Sequence, residues 1–149
     1  MNRKEFVQSA TTAVALSGIF STLSAEDHSN HGVMPTTSTS KSKYAKVMMS
    51  AIHCKLAAEI CLSHCIVELG KGDKSLATCA ESTKEVIALC DSFISLASQS
   101  SKYTKKLASL CAEVCEACAK VCEKHANHHA VCKDCMESCL ACAKEMKKV

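Results

Sequence analysis

From about Lys43 onward, apolar residues recur every three to four positions, the period of an amphipathic helix. The pattern runs in four blocks, 43–69, 74–98, 103–125 and 130–147. Three breaks separate them: Gly70-Lys71-Gly72-Asp73, with Asp73 a candidate N-cap, then Gln99-Ser100-Ser101-Lys102, then Asn127-His128-His129. Long helices joined by short loops pack as antiparallel neighbours. The expected fold is therefore all-α, an antiparallel up-down four-helix bundle over 43–149.

The inward stripes are made of cysteine. At 100° per residue, Cys54, Cys61 and Cys65 fall within about 40° on the first helix, and Cys79 and Cys90 within about 20° on the second. Cys111, Cys115, Cys118 and Cys122 fall within about 60° on the third, and Cys132, Cys135, Cys139 and Cys142 within about 80° on the fourth. Val47, Ala51, Ala58, Val86, Phe93, Leu107 and Met146 share or flank these stripes, so the cysteine face is the expected core face.

The start of the chain has another character. Arg3 and Lys4 precede a mostly apolar or small run from Phe6 to Leu23, and Thr22-Leu23-Ser24-Ala25 offers small residues for cleavage. This predicts an export signal over 1–25 and a protein working in the periplasm or otherwise outside the cytoplasm. Asn2-Arg3-Lys4-Glu5-Phe6-Val7 is similar to a twin-arginine signal with Lys in the second Arg position, which leaves the export route open. Residues 26–42 form a polar stretch with the chain's single Pro, Pro35, and are expected to be a flexible arm. Beyond the signal, no segment is expected to enter a membrane.

Composition narrows the function. The 149 residues include 13 Cys, a density that raises a disulfide scaffold. Only 4 Gly and 1 Pro are present, too few for loop-rich disulfide folds. The count is odd, and most close pairs sit within one helix, where a bridge restrains little. Aromatics are 3% and Arg3 is the only arginine, which argues against nucleic-acid binding. A few buried thiols can act as small hydrophobes; thirteen replacing a core's Leu and Val point to metal. No His-Glu-x-x-His, di-iron Glu-x-x-His or nucleophile motif is present, so no enzyme is expected.

Thiolate is a soft ligand that selects Cu(I), zinc or iron–sulfur clusters. The C-x2-C-x3-C-x2-C run over 132–142 lacks ferredoxin spacing and its following Pro. Zinc would take four thiolates and leave the C-x3-C pairs unexplained. Cu(I) fits better. Cys61/Cys65, Cys111/Cys115, Cys118/Cys122 and Cys135/Cys139 are four residues apart, with Cβ atoms about 5–6 Å apart, close enough for two sulfurs to hold one ion. Three-residue steps link neighbouring pairs. With each thiolate bridging two ions, the expected load is about one Cu(I) per cysteine. One Cu⁺ per thiolate also neutralises a core that bare thiolates would make untenable. Zinc-binding or general metal detoxification, and a disulfide-stapled helical domain, remain the alternatives.

These residues resemble the copper storage proteins, in their exported, signal-bearing branch. The resemblance covers about 53–142 and the signal. It rests on His53-Cys54, Cys61, His64-Cys65, Cys79, Cys90, C-x3-C-x2-C-x3-C at 111–122 and C-x2-C-x3-C-x2-C at 132–142. It implies four-helix bundles assembled as homotetramers, with Cu(I) held inside each bundle for supply to copper enzymes or protection from free copper. His64 matches the family pattern and joins the thirteen cysteines as a candidate ligand. The turn over 68–76 departs from that pattern, because it has no Met. The donor and recipient of the metal are not legible in the sequence.

Antiparallel order makes the bundle polar. Cys65, Cys79, Cys122 and Cys132 share one end with His64, His125, His128 and His129. Val47, Met48, Phe93, Ile94, Leu96, Leu107 and Leu110 are expected at the other end as an apolar plug. Copper is expected to pass in at the histidine end. Met48, Met49 and His53 are weaker candidate ligands, and His28, His31 and Met34 in the arm are candidates for capture from outside.

Overall fold

A computed structural model describes residues 42–149. The expected signal over 1–25, and residues 26–41 of the arm with His28, His31 and Met34, lie outside the described residues. Four helices follow one another: α1 (Ala45–Gly70), α2 (Ala77–Ser98), α3 (Thr104–Glu123) and α4 (Ala130–Met146). Among the described residues there is no strand. α1 packs against α2 and α4, and α3 packs against the same two. Each helix thus touches its two neighbours around a square, the arrangement that short antiparallel connections dictate.

The helix ends explain where the observed boundaries depart from the predicted ones. At the end of α1, Gly72 takes a left-handed φ of 99°, which a side chain would resist. The turn is closed by the Asp73 amide donating to the Glu68 carbonyl at 3.1 Å. The Asp73 carboxylate then accepts from the Ser75 amide at 3.0 Å. That bond tightens 74–76 into a 3-10 turn, so α2 proper starts three residues later than the periodicity predicts. Between α2 and α3, Thr104 is buried and its hydroxyl donates to the Ser101 carbonyl at 2.8 Å and the Leu96 carbonyl at 3.2 Å. α3 ends two residues early, because the His125 amide bonds back only three residues, to the Cys122 carbonyl.

The core is built from small side chains. Cysteine and alanine fill most of it, with Leu76, Val86, Phe93 and Met146 the bulkiest fully buried members. The expected apolar plug is only partly present. Val47, Met48 and Phe93 are buried and Ile94, Leu96 and Leu107 are half-buried, but Leu110 is 45% exposed. One residue before the inward Cys111, it is turned about 100° off the core face.

A second correction concerns α1. It is long and apolar enough to cross a membrane by length and composition. The cause is that α1 is apolar on both faces. Its cysteine stripe faces the bundle, while Met49, Ile52, Leu56, Ile60, Ile66 and Val67 face outward and are exposed.

Candidate metal centre

All thirteen cysteines are free and buried. Spacing puts them in tiers. The inward positions of α3 step by four, three and four residues, through Cys111, Cys115, Cys118 and Cys122. The same step places Cys54, Ala58, Cys61 and Cys65 inward on α1, and Cys79, Thr83, Val86 and Cys90 inward on α2. On α4 the step is three, four and three. Every one of these sixteen side chains is at most 1% exposed. Three of the sixteen inward positions carry no sulfur: Ala58 and Val86, which the stripes predict as core, and Thr83, which hydropathy alone does not mark.

The sulfurs converge from all four helices. Sγ of Cys79 and Cys122 are 3.5 Å apart, Cys54 and Cys139 3.6 Å, Cys61 and Cys79 3.8 Å, and Cys61 and Cys132 3.9 Å. Four groups have sulfurs all within 4.8 Å of one another. They are Cys54/Cys90/Cys115/Cys142, Cys61/Cys65/Cys79/Cys132, Cys61/Cys122/Cys135 and Cys118/Cys135/Cys139. Twelve of the thirteen cysteines are in these groups. Cys111 stands apart, and its thiol donates to the Leu89 carbonyl at 3.4 Å. Three of the groups overlap through Cys61 and Cys135, so there one ion's ligand can also serve the next ion.

The electrostatics favour neutral thiols in the empty column. Burial is the first cause that pushes Cys65, Cys111 and Cys132 up, with neighbouring sulfur charge adding to it. Cys111 is pushed up to about 12. Cys61 is held down by hydrogen bonds from Cys122, Cys135 and Cys79, and Cys118 by those from Cys122, Cys135 and Cys139. Cys122 is raised in return, first by Cys118. Protons are therefore shared along the network, and a cation entering it displaces them.

At one end the column meets imidazoles. His64 Nε2 and His129 Nδ1 are 2.9 Å apart. His125 lies against His129, ring centroids 6.4 Å apart. The Glu68 and Asp73 carboxylates are held below the usual range first by hydrogen bonds from Lys71 and Ser75, and further by nearby imidazoles, His64 and His129 for Glu68, His129 and His125 for Asp73. His128 is exposed. His64 immediately precedes Cys65, so the cluster sits above the Cys61/Cys65/Cys79/Cys132 group. The pairing of His64 with His129 joins residues 65 apart, and no local pattern announces it. The weaker candidates separate. Met48 is buried, whereas Met49 and His53 face outward on α1, away from the sulfurs.

Known proteins agree with this geometry. An uncharacterized cysteine-rich protein of Bacillus subtilis, YhjQ, is 28% identical over 108 residues, covering 72% of this chain and 96% of its own. The solved structure of Cu(I)-bound copper storage protein BsCsp3 superposes with a TM-score of 0.65 at 27% identity, covering 70% of this chain and 95% of that one. The apo form of Csp3 from Bacillus subtilis gives a TM-score of 0.63 at 26% identity, covering 70% and 96%. The sequence profile described as copper storage protein, Csp, matches residues 40–149. The whole described bundle falls within that match, and the chain belongs to the copper storage protein family.

Proposed function

We propose that this chain is a reservoir for Cu(I), holding many ions as cysteine thiolates along the axis of its bundle. The observation that carries this reading is the convergence of thirteen free, buried thiols, twelve of them in groups of three or four. Soft sulfur in a dry core selects a soft monovalent cation, and one Cu⁺ per thiolate leaves the filled column neutral. The load is about one ion per cysteine. All thirteen cysteines serve as ligands, and His64 is the first ligand an incoming ion meets. The work is storage, release and buffering, with no bond-making step assigned to any residue.

The same reading covers what surrounds the bundle. The basic start, apolar run and small residues of 1–25 support export, with storage outside the cytoplasm. The outward apolar face of α1 supports a homo-oligomer, because Ile52, Leu56 and Ile60 would be covered by a second copy.

Zinc is the second reading. The Cys54/Cys90/Cys115/Cys142 and Cys61/Cys65/Cys79/Cys132 groups each offer four sulfurs, the number a tetrahedral zinc takes. Anaerobic titration of the reduced protein with Cu(I) against a chromophoric chelator separates the two. Storage gives about one tightly held ion per thiol. Saturation at two ions, with zinc bound more tightly than copper at equal load, would replace storage with a zinc domain.

A further inference from the structure

The column of sulfurs is not uniform. Two of its groups, Cys61/Cys65/Cys79/Cys132 and Cys61/Cys122/Cys135, share Cys61, and the second joins Cys118/Cys135/Cys139 through Cys135. The fourth, Cys54/Cys90/Cys115/Cys142, shares no residue with the others. The gap falls where sulfur is missing. At the inward positions between these groups, α1 contributes Ala58 between Cys54 and Cys61, and α2 contributes Val86 between Cys79 and Cys90, both 0% exposed. One tier nearer the histidines, α2 contributes Thr83, whose hydroxyl is already committed to the Cys79 and Ala80 carbonyls at 3.0 and 2.9 Å. Between the far group and the rest, α1 and α2 therefore offer no sulfur.

The sulfur contacts that span the gap run through Cys139. Its Sγ lies 3.6 Å from Cys54 and it also neighbours Cys115, both in the distal group. On the other side it shares a group with Cys118 and Cys135. Cys115 and Cys118 are three residues apart on α3, yet no common group holds them.

We infer that the store is divided into two pools, seven cysteines at the histidine end and five at the far end, which exchange Cu(I) through Cys139. The near pool is Cys61, Cys65, Cys79, Cys118, Cys122, Cys132 and Cys135. The far pool is Cys54, Cys90, Cys115 and Cys142, with Cys111 beyond them. An ion crosses by forming a bond to a far thiolate before its last near thiolate lets go. Copper stays monovalent, no electron moves, and the proton displaced from the receiving thiol passes to the vacated one. An ion in the near pool has only Cys139 to reach for, since alanine and valine offer nothing opposite. The far pool therefore fills last and empties last, giving the protein a quickly exchanging reserve and a deep one. This inference rests on the storage reading.

The test is anaerobic Cu(I) uptake and chelator-driven release by the full chain, followed in time. Cys139→Ser is expected to fill the near pool at the wild-type rate and to slow the far pool by at least about tenfold, an added barrier of about 1.4 kcal/mol. Cys142→Ser, which removes one sulfur without cutting the bridge, is expected to lose about one ion and to fill its far pool at the wild-type rate. Adding Ala58→Cys to Cys139→Ser restores a sulfur at the gap and is expected to recover the fast phase. Circular dichroism and a free-thiol count show that each variant is folded and reduced. Loading of Cys139→Ser that matches Cys142→Ser would overturn the inference, as would a double variant that stays slow. A wild-type chain that takes up only a few ions would fail the storage reading instead, whatever the variants do.

Discussion

His64 and His129 approach each other across the mouth of the bundle, Nε2 to Nδ1 at 2.9 Å, although α1 carries one and the start of α4 the other. His64 immediately precedes Cys65 in α1, at the end of the bundle where His125 and His129 also gather. On the storage reading proposed above, these two imidazoles would hand an incoming ion from solvent to sulfur. His64→Ala is expected to slow Cu(I) loading severalfold while leaving the final load unchanged. Stopped-flow mixing with a Cu(I) chelator complex reads both quantities. Unchanged kinetics would remove His64 from the route.

Phe93 carries much of the packing in a core of small residues. It is fully buried and the largest of the fully buried side chains. Phe93→Ala is expected to destabilise the metal-free bundle by about 3–5 kcal/mol, through lost burial and the cavity left behind. Urea denaturation of the reduced apo-protein measures this. The Cu(I)-loaded variant is expected to unfold at higher urea than the apo variant, because ligand bound only to the folded state stabilises it.

The thiols also set a pH dependence. Nine of the thirteen, Cys111 at about 12 among them, are raised in the folded chain and four are lowered. An unfolded thiol ionises near about 8.5. Above that pH the unfolded chain has lost protons that the raised thiols still hold, so stability falls as pH rises. Their contribution is complete below about pH 8.5 and lost progressively towards about pH 12, the value for Cys111. The four lowered thiols act in the opposite sense through bonds to raised partners, while burial raises every one of the thirteen and sets the net direction. Thermal melts of the apo-protein are expected to fall between pH 8 and 10.5, while the loaded protein, whose protons have already left, changes little.

Leu56 and Ile60 are 59% and 52% exposed in the middle of the outward face of α1. Replacing both with Glu puts charge where a second copy would pack. Sedimentation is expected to show an oligomer for the wild type and a smaller species for the double variant, with copper capacity per chain unchanged. A wild-type monomer in solution would contradict the oligomer, and binding of that monomer to lipid vesicles would assign the face to a membrane surface.

Helix number, order and the inward set of cysteines were legible because one stripe per helix obeys a single rotation rule. Cys54 and Cys139 are 85 residues apart, yet each could be placed on the core face from its own helix alone. The rest depended on what neighbours impose. The start of α2 moved because Asp73 closes a tight turn, a competition between side chain and backbone that periodicity does not report. Ile52, Leu56 and Ile60 lie off the cysteine stripe of α1, so the core-face pattern did not report that its outer face is apolar too. Ala58 and Val86 were legible on the cysteine stripes as apolar residues, whereas Thr83 was not, because a hydroxyl gives no apolar signal and its burial depends on bonds to the Cys79 and Ala80 carbonyls.

The most direct test of the account is a crystal structure of the reduced, Cu(I)-loaded chain with anomalous data collected at the copper edge. The account predicts a string of copper peaks along the bundle axis, from beneath His64 to the Cys54/Cys90/Cys115/Cys142 tier, each within bonding distance of cysteine sulfur. Peaks confined to surface histidines, or sulfurs joined in pairs with no copper between them, would contradict it.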